Sequence, residues 1–134
     1  MALIEWSEAY ETGIPSVDKQ HRHLVDIVNK FDEASRKGKG SRVMTLILNE
    51  LFGYTSEHFS AEEKILEDAE YANLKQHKSQ HRQLLQKLER LQFEFDQQDK
   101  RITVEVRSFL KSWLINHILK HDKAYVSTVM QNIS

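Results

Sequence analysis

The sequence predicts an all-α protein, an antiparallel up-down-up-down bundle of four helices preceded by an N-terminal arm. Two observations support this prediction. The chain of 134 residues contains only 4 Gly and 1 Pro, and the last of these helix breakers is Gly53. Apolar side chains also recur every three or four residues in four separate stretches, which is the period of one helix face. The tight turns of a β-sandwich or barrel are too scarce here for those folds.

The arm and the first helix occupy the N-terminal part of the chain. The arm is predicted over residues 1–16 and carries Trp6. The first helix is predicted over residues 17–37, and either Ser16 or Asp18 can cap its start. Its inward stripe alternates steps of four and three residues and consists of Val17, His21, Leu24, Val28 and Phe31.

Three more long helices follow a Gly-rich turn. They are predicted over residues 42–66, 72–96 and 101–121, and a short C-terminal helix is predicted over residues 123–132. Short connections between long amphipathic helices place consecutive helices antiparallel. The chain has the length of one ordinary domain, so a single domain is predicted over residues 1–134.

Composition and charge exclude several classes of protein. Lys and Arg total 19 against 20 Asp and Glu, without the basic stripe of a nucleic-acid-binding protein. The absence of Cys excludes disulfides and thiolate-bound zinc or iron–sulfur clusters. No apolar run approaches the ~18 residues of a membrane span, and the start lacks the features of a secretory signal. The expectation is a cytoplasmic protein that binds neither nucleic acid nor membrane, and a monomer, since the exposed faces show no second apolar seam.

Polar residues interrupt the inward stripes at six positions. A single buried histidine or glutamate is most often hydrogen-bonded within a core and indicates nothing more. Six together are costly, because each unpaired buried polar group costs ~1–3 kcal/mol, and one shared metal site satisfies all of them. Up-down topology brings the six to one end of the bundle. They are His21, His58, Glu62, His77, His81 and His117.

Spacing along the helices strengthens the metal-site prediction. His58 and Glu62 are four residues apart, as are His77 and His81, so each pair shares one helix face. One such pair occurs by chance in many helices. Two pairs, together with single histidines on the first and fourth helices, favour a common site.

A further ligand on the fourth helix is ambiguous from the residues alone. On a regular helix His121 pairs with His117, whereas Asp122 is rotated ~140° away. Periodicity therefore favours His121 and leaves Asp122 as the alternative.

The ordered set of motifs resembles the hemerythrin family, in particular its single-domain bacteriohemerythrins. The resemblance covers nearly the whole chain and rests on Val17-Asp-Lys-Gln-His21, His58-x-x-x-Glu62, His77-x-x-x-His81 and His117-x-x-x-x-Asp122. It implies a centre of two non-haem iron ions, Fe2+ or Fe3+, with a bridging oxo or hydroxo group and O2 as the ligand. It also selects Asp122 over His121.

The resemblance implies a role for each ligand. One iron is held by His77, His81 and His117 and the other by His21 and His58, with Glu62 and Asp122 as bridges. Of ~12 coordination positions on two six-coordinate ions, these ligands and the bridging oxygen leave one open, on the iron with two histidines. The implied pocket over it is Leu24, Phe59, Trp113 and Ile118. His23, turned away from His21 on the same helix, is expected to face solvent.

The expected function is O2 binding, which serves storage, delivery to an oxygen-consuming enzyme, or sensing. Two other functions are alternatives to it. A di-iron enzyme, such as a peroxidase, an oxidase or a protein handling NO or iron, could use the same site. However, the Glu-x-x-His pairs of ferritin-like enzymes are absent from the sequence. A structural zinc site needs only four ligands. An apolar pocket without an acid or base also lacks a proton source for O–O cleavage, so a non-enzymatic O2-binding protein is the expectation.

Overall fold

Four α-helices form the bundle in a computed structural model of the chain, which describes residues 3–38, 41–96 and 102–115. The helices are α1 (Pro15–Arg36), α2 (Ser41–Asp68), α3 (Leu74–Asp96) and α4 (Ile102–Trp113). α2 packs against both α1 and α3, and α4 packs against α1 and α3. This arrangement is the all-α four-helix bundle that the sequence predicts.

The helix ends differ in detail from the predicted ranges. α1 begins at Pro15, because proline is well suited to the first helical position, where its missing N–H is not needed. The residue before it, Ile14, offers no side-chain cap, so the expectation that Ser16 or Asp18 caps this helix is wrong. The end of the predicted fourth helix beyond Ile115 and the predicted short helix over 123–132 lie outside the described residues.

Side chains of α1 hold the arm against the bundle. The Asp18 carboxylate accepts hydrogen bonds from the backbone N–H groups of Thr12 (2.8 Å) and Gly13 (3.1 Å), and from the Thr12 hydroxyl (2.7 Å). Farther along α1, the Asn29 amide exchanges hydrogen bonds of 2.9 and 2.8 Å with the backbone N–H and C=O of Ile4. These contacts satisfy polar groups of the arm that have no partner in a helix or sheet.

Two apolar clusters fill the bundle and leave a layer between them. The main cluster is the larger and contains residues of the arm and all four helices, among them Leu24, Phe59, Leu88 and Leu110. The end cluster lies where α2 ends and α3 begins, and its buried members are Ile14, Val17, Leu66 and Ala69. Along α1, His21 lies between Val17 of the end cluster and Leu24 of the main cluster. A polar layer therefore separates the two clusters.

A buried carboxylate links α1 to α4. The Asp32 side chain is 3% exposed and accepts hydrogen bonds from Nε of Arg107 at 2.6 Å and Nε of Arg36 at 3.0 Å. Both arginine side chains keep part of their surface in water. Two cations on one carboxylate offset the cost of its burial, so this link helps to hold α4 against the bundle.

The outward faces of the described helices carry few large apolar side chains. Val43, Leu46 and Phe93 are the exposed ones in the described part of the chain, near the start of α2 and the end of α3. Within residues 3–38, 41–96 and 102–115, every helix is too short or too polar to cross a membrane.

Gly53 and Gly38 are expected to respond in opposite ways to replacement by Ala. Gly53 lies inside α2, and a Cβ added there meets open space, so Gly53→Ala is expected to raise the free energy of unfolding by about 1 kcal/mol. A Cβ at Gly38 also meets open space, but the φ of +68° there is unfavourable for an L side chain. Gly38→Ala is therefore expected to lower the free energy of unfolding by about 1 kcal/mol. Urea denaturation of both variants measures the two effects. Shifts of the same sign would contradict this account.

Candidate metal centre

Five polar side chains form the buried layer between the main cluster and the end cluster. Each is at most 6% exposed. α1 contributes one of them, α2 two and α3 two. Because α1 and α3 begin at the end of the bundle where α2 ends, antiparallel packing brings the five to one level. They are His21, His58, Glu62, His77 and His81.

The helical period explains why these side chains face inward. On α1, His21 is four residues after Val17 and three before Leu24, so the three share one face. On α2, Glu62 follows His58 by one turn, and α3 repeats this spacing with its two histidines. One face of each helix therefore supplies both the apolar core and the polar layer.

Glu62 lies at the centre of the layer, and its two carboxylate oxygens face different helices. Oε1 is 2.8 Å from Nε2 of His77 and 3.0 Å from Nε2 of His81. Oε2 is 3.3 Å from Nε2 of His58 and 4.0 Å from Nε2 of His21. The carboxylate thus divides the layer into an α3 half, with His77 and His81, and an α1–α2 half, with His21 and His58.

Ring contacts fix the orientation of the imidazoles. The ring centroids of His21 and His58 are 4.8 Å apart, and those of His77 and His81 are 4.5 Å apart, both edge to face. Phe59 stacks in parallel on His81 with a centroid distance of 3.7 Å. Because packing restricts these rings, their Nε2 atoms are preorganised to face the carboxylate.

The outward nitrogens of two imidazoles have hydrogen-bond acceptors of their own. Nδ1 of His58 lies 2.6 Å from Oε1 of Gln20, and Nδ1 of His81 lies 2.9 Å from Oε2 of Glu63. With a metal at Nε2, an acceptor at Nδ1 would retain the ring proton there and direct the Nε2 lone pair at the ion. Neither Gln20 nor Glu63 is predicted from the sequence as part of the site. The available signal was their position, since each adjoins a predicted ligand in the chain.

Burial and hydrogen bonding favour the metal-binding protonation states. Burial, reinforced by the neighbouring His58, lowers the pKa of His21 to about 3, so its imidazole is neutral at pH 7. Burial alone would raise the pKa of the Glu62 carboxyl. Hydrogen bonds from His58, His77 and His81 outweigh that effect and hold this pKa well below its usual value. Neutral imidazole and ionised carboxylate are the forms that coordinate metals.

These donors fit a pair of metal ions. His21, His58 and Glu62 offer one group of ligand atoms that lie within 4.8 Å of one another, and Glu62, His77 and His81 offer a second. Imidazole nitrogen combined with carboxylate oxygen suits iron and other first-row transition metals. Glu62 belongs to both groups and has one oxygen for each, which is the arrangement of a bridging ligand.

Part of the predicted site lies outside the described residues. This part comprises His117, Asp122 and Ile118, together with the alternative ligand His121. The described chain after α4 continues through a wide π-type turn at Leu114 and Ile115. Such turns join residues five apart rather than four and interrupt the register of a regular α-helix, and they are frequent at functional sites.

The other predicted pocket residues are buried together. Leu24, Phe59 and Trp113 are at most 4% exposed and belong to the main cluster, which adjoins the polar layer. His23, by contrast, is exposed at the surface, and its ring packs against Tyr54 at a centroid distance of 4.2 Å. This position agrees with the expectation that His23 faces solvent.

Comparison with known proteins connects this geometry to a family. Residues 12–129 match the family model described as hemerythrin HHE cation binding domain. The bacteriohemerythrin of Pseudomonas aeruginosa (strain UCBPP-PA14) is 32% identical over 134 residues, covering 100% of this chain and 86% of that protein. The bacteriohemerythrin of Methylococcus capsulatus (strain Bath) is 32% identical over 126 residues, covering 93% and 95%.

The fold comparison agrees with the sequence comparison. A crystal structure of wild-type hemerythrin superposes with a TM-score of 0.86 at 30% sequence identity, covering 96% of this chain and 98% of that one. Myohemerythrin-1 of Phascolopsis gouldii is 29% identical over 121 residues, covering 90% and 89%. Since the family model spans most of the chain and relatives above 30% identity cover its whole length, the chain belongs to the hemerythrin family.

Proposed function

We propose that the chain holds two non-haem iron ions in the polar layer and binds O2 reversibly through them. The observation that carries this proposal is the position of Glu62, whose two oxygens face two separate groups of histidines. His77, His81 and His117 would hold one ion and His21 and His58 the other, with the carboxylates of Glu62 and Asp122 available to both. The full proposed ligand set is His21, His58, Glu62, His77, His81, His117 and Asp122.

The surroundings of the site favour binding over turnover. When bound, the iron pair supplies the electrons with which O2 is held reversibly. Leu24, Phe59 and Trp113 form an apolar wall next to the layer that excludes water, and Ile118 is proposed to complete it. None of these side chains is an acid that could protonate O2 for O–O cleavage, since the Trp113 indole N–H donates hydrogen bonds but does not ionise near neutral pH. We therefore propose an oxygen-binding protein rather than an enzyme.

We also propose a domain organisation, an oligomeric state and a physiological role for the chain. The chain is a single domain over residues 1–134, supported by a family match that spans 12–129, and acts as a monomer. It stores O2, delivers it to an oxygen-consuming enzyme, or reports its level. The rate of O2 release distinguishes these roles, because delivery requires release faster than the consuming enzyme turns over.

Iron content and visible spectra test the proposal. The purified protein is expected to contain two irons per chain and to gain a charge-transfer band when O2 is added to its reduced form. The band is expected to disappear when O2 is removed and to return over many cycles. Irreversible oxidation within one cycle would contradict reversible O2 binding, and either that result or rapid turnover of peroxide would instead favour the alternative of a di-iron enzyme.

Substitutions at positions 121 and 122 test the last ligand. Asp122→Ala is expected to lose most of the iron, and His121→Ala is expected to keep both ions. The π-type turn at Leu114 and Ile115 supports this choice only in that it interrupts the regular α-helical register on which the alternative ligand, His121, depends. Metal analysis of both variants measures the effect. Loss of iron in His121→Ala but not in Asp122→Ala would reverse the assignment.

A further inference from the structure

The two halves of the centre differ in the chemistry that holds their histidines. In the α3 half, the acceptor at Nδ1 of His81 is the carboxylate of Glu63, at 2.9 Å. In the α1–α2 half, the acceptor at Nδ1 of His58 is the neutral amide oxygen of Gln20, at 2.6 Å. Both hydrogen bonds cross between helices: the His81 ring on α3 donates to Glu63 on α2, and the His58 ring on α2 donates to Gln20 on α1. The amide contact is the shorter of the two, and the acceptors differ in formal charge.

This difference acts on the coordinating nitrogen of each ring. A carboxylate at Nδ1–H draws the proton toward itself and makes Nε2 of the same imidazole a stronger electron donor. A neutral amide holds the ring in the same orientation but polarises it less, because hydrogen bonds to charged acceptors are roughly twice as strong as neutral ones. Water screens the effect of the Glu63 charge on the ring only weakly, since the side chains of His81 and Glu63 are only 2% and 26% exposed.

We propose that Glu63 and Gln20 are positioning residues that make the two metal subsites unequal, with Glu63 strengthening the α3 half and Gln20 leaving the α1–α2 half weaker. This inference rests on the proposed two-metal function and deepens it. The α1–α2 half is the one for which an open coordination position is expected. A weaker donor set there leaves its metal more able to accept a further ligand, while the α3 half retains its ion.

Conservative variants separate the effect of the acceptor's charge on the metal sites from the effect of the hydrogen bond itself. Glu63→Gln keeps an acceptor oxygen for His81 and removes the charge, whereas Gln20→Glu keeps the acceptor for His58 and adds a charge. If Glu63 only anchors α3 to α2, Glu63→Gln retains that contact and changes nothing at the metals. Glu67→Gln is the matched control, because Glu67 is an exposed residue one turn farther along α2 and its loss removes the same charge.

The experiment measures the affinity of each ion separately. The full-length ferrous protein is equilibrated anaerobically with a chelating agent, and the two iron dissociation constants are determined along with the midpoint potential. Removing an anionic hydrogen-bond partner of a ligating histidine typically weakens metal binding by ~10–100-fold. We expect Glu63→Gln to weaken the tighter iron about tenfold and to raise the midpoint potential. We expect Gln20→Glu to tighten the weaker iron and to lower the potential.

The outcomes separate this inference from the function on which it rests. If the unmodified protein binds fewer than two irons, the proposed function fails and the inference fails with it. If it binds two irons but Glu63→Gln and Gln20→Glu leave both constants within twofold, the inference alone is wrong. An effect of Glu67→Gln as large as that of Glu63→Gln would also overturn it. Gln20→Glu keeps the test decisive if Glu63→Gln fails to fold.

Discussion

Replacing Glu62 with Gln is expected to reduce the iron content from two ions per chain to nearly none. In the described part of the chain, Glu62 is the one carboxylate shared by both groups of candidate ligands. Its oxygens face His77 at 2.8 Å and His58 at 3.3 Å. A glutamine keeps the shape but is neutral, and its NH2 group cannot coordinate, so one half loses its oxygen donor and the bridge is lost.

The same substitution is expected to leave the bundle folded. Glutamine keeps the shape of Glu62 and one oxygen that accepts hydrogen bonds from the histidines, and the apolar clusters on either side of the layer are unchanged. Loss of the ionised carboxylate is expected to lower the free energy of unfolding without abolishing the fold. Metal analysis of Glu62→Gln tests the loss of iron, and circular dichroism tests whether the bundle stays folded. Glu67→Gln is the control that removes a surface charge from the same helix. A Glu62→Gln protein that retains two tightly bound irons would show that Glu62 is not the bridge.

The metal-free protein is expected to lose much of its stability as the pH falls from about 6.5 to 3. The pKa of His21 is lowered from 6.5 to about 3, chiefly by burial. Between these values the unfolded chain binds a proton at His21 and the folded chain does not, so acidification favours unfolding. A shift of this size corresponds to a loss on the order of 4 kcal/mol. Glu62 acts in the same direction at lower pH, because its pKa is also lowered on folding.

Urea denaturation of the metal-free protein at several pH values measures this dependence. His21→Leu is expected to flatten it, because leucine fills the buried position without binding a proton. His23→Leu is the control, since His23 is on the same helix but exposed. An unchanged pH dependence in His21→Leu would mean that other groups cause the acid sensitivity. With iron bound the protein is expected to be more stable near neutral pH but to lose stability at least as steeply on acidification, because the metal keeps the ligand nitrogens unprotonated in the folded chain while the unfolded chain protonates them.

The inward faces of the helices could be predicted because the apolar side chains recur at the helical period and the polar ligands occupy positions in the same stripe. His21 falls between Val17 and Leu24 in the sequence, and in the structure it lies between the two apolar clusters. The four-residue spacing of the polar pairs on α2 and α3 likewise predicted that each pair would face one volume. Local patterns of this kind are set by the helix itself and do not depend on how helices are packed together.

Features that depend on contacts between helices could not be predicted in this way. Gln20 and Glu63 lie beside the stripes, and their contacts with rings on the next helix depend on the distance and angle between helix axes. The choice between His121 and Asp122 depends on a departure from regular helix, which periodicity assumes to be absent. The start of α1 was missed because Pro15 serves as its first residue and Asp18 instead binds the arm.

The polar layer also divides the described residues into two apolar regions of different size. The main cluster includes residues from all four helices, whereas the described part of the end cluster has four buried members near the start of α1 and the end of α2. Local opening costs less where fewer apolar side chains are buried. The ligand atoms lie on the boundary between the two regions. Among the described residues, opening on the side of the end cluster is therefore expected to expose the ligands at a lower cost in free energy than opening of the main cluster.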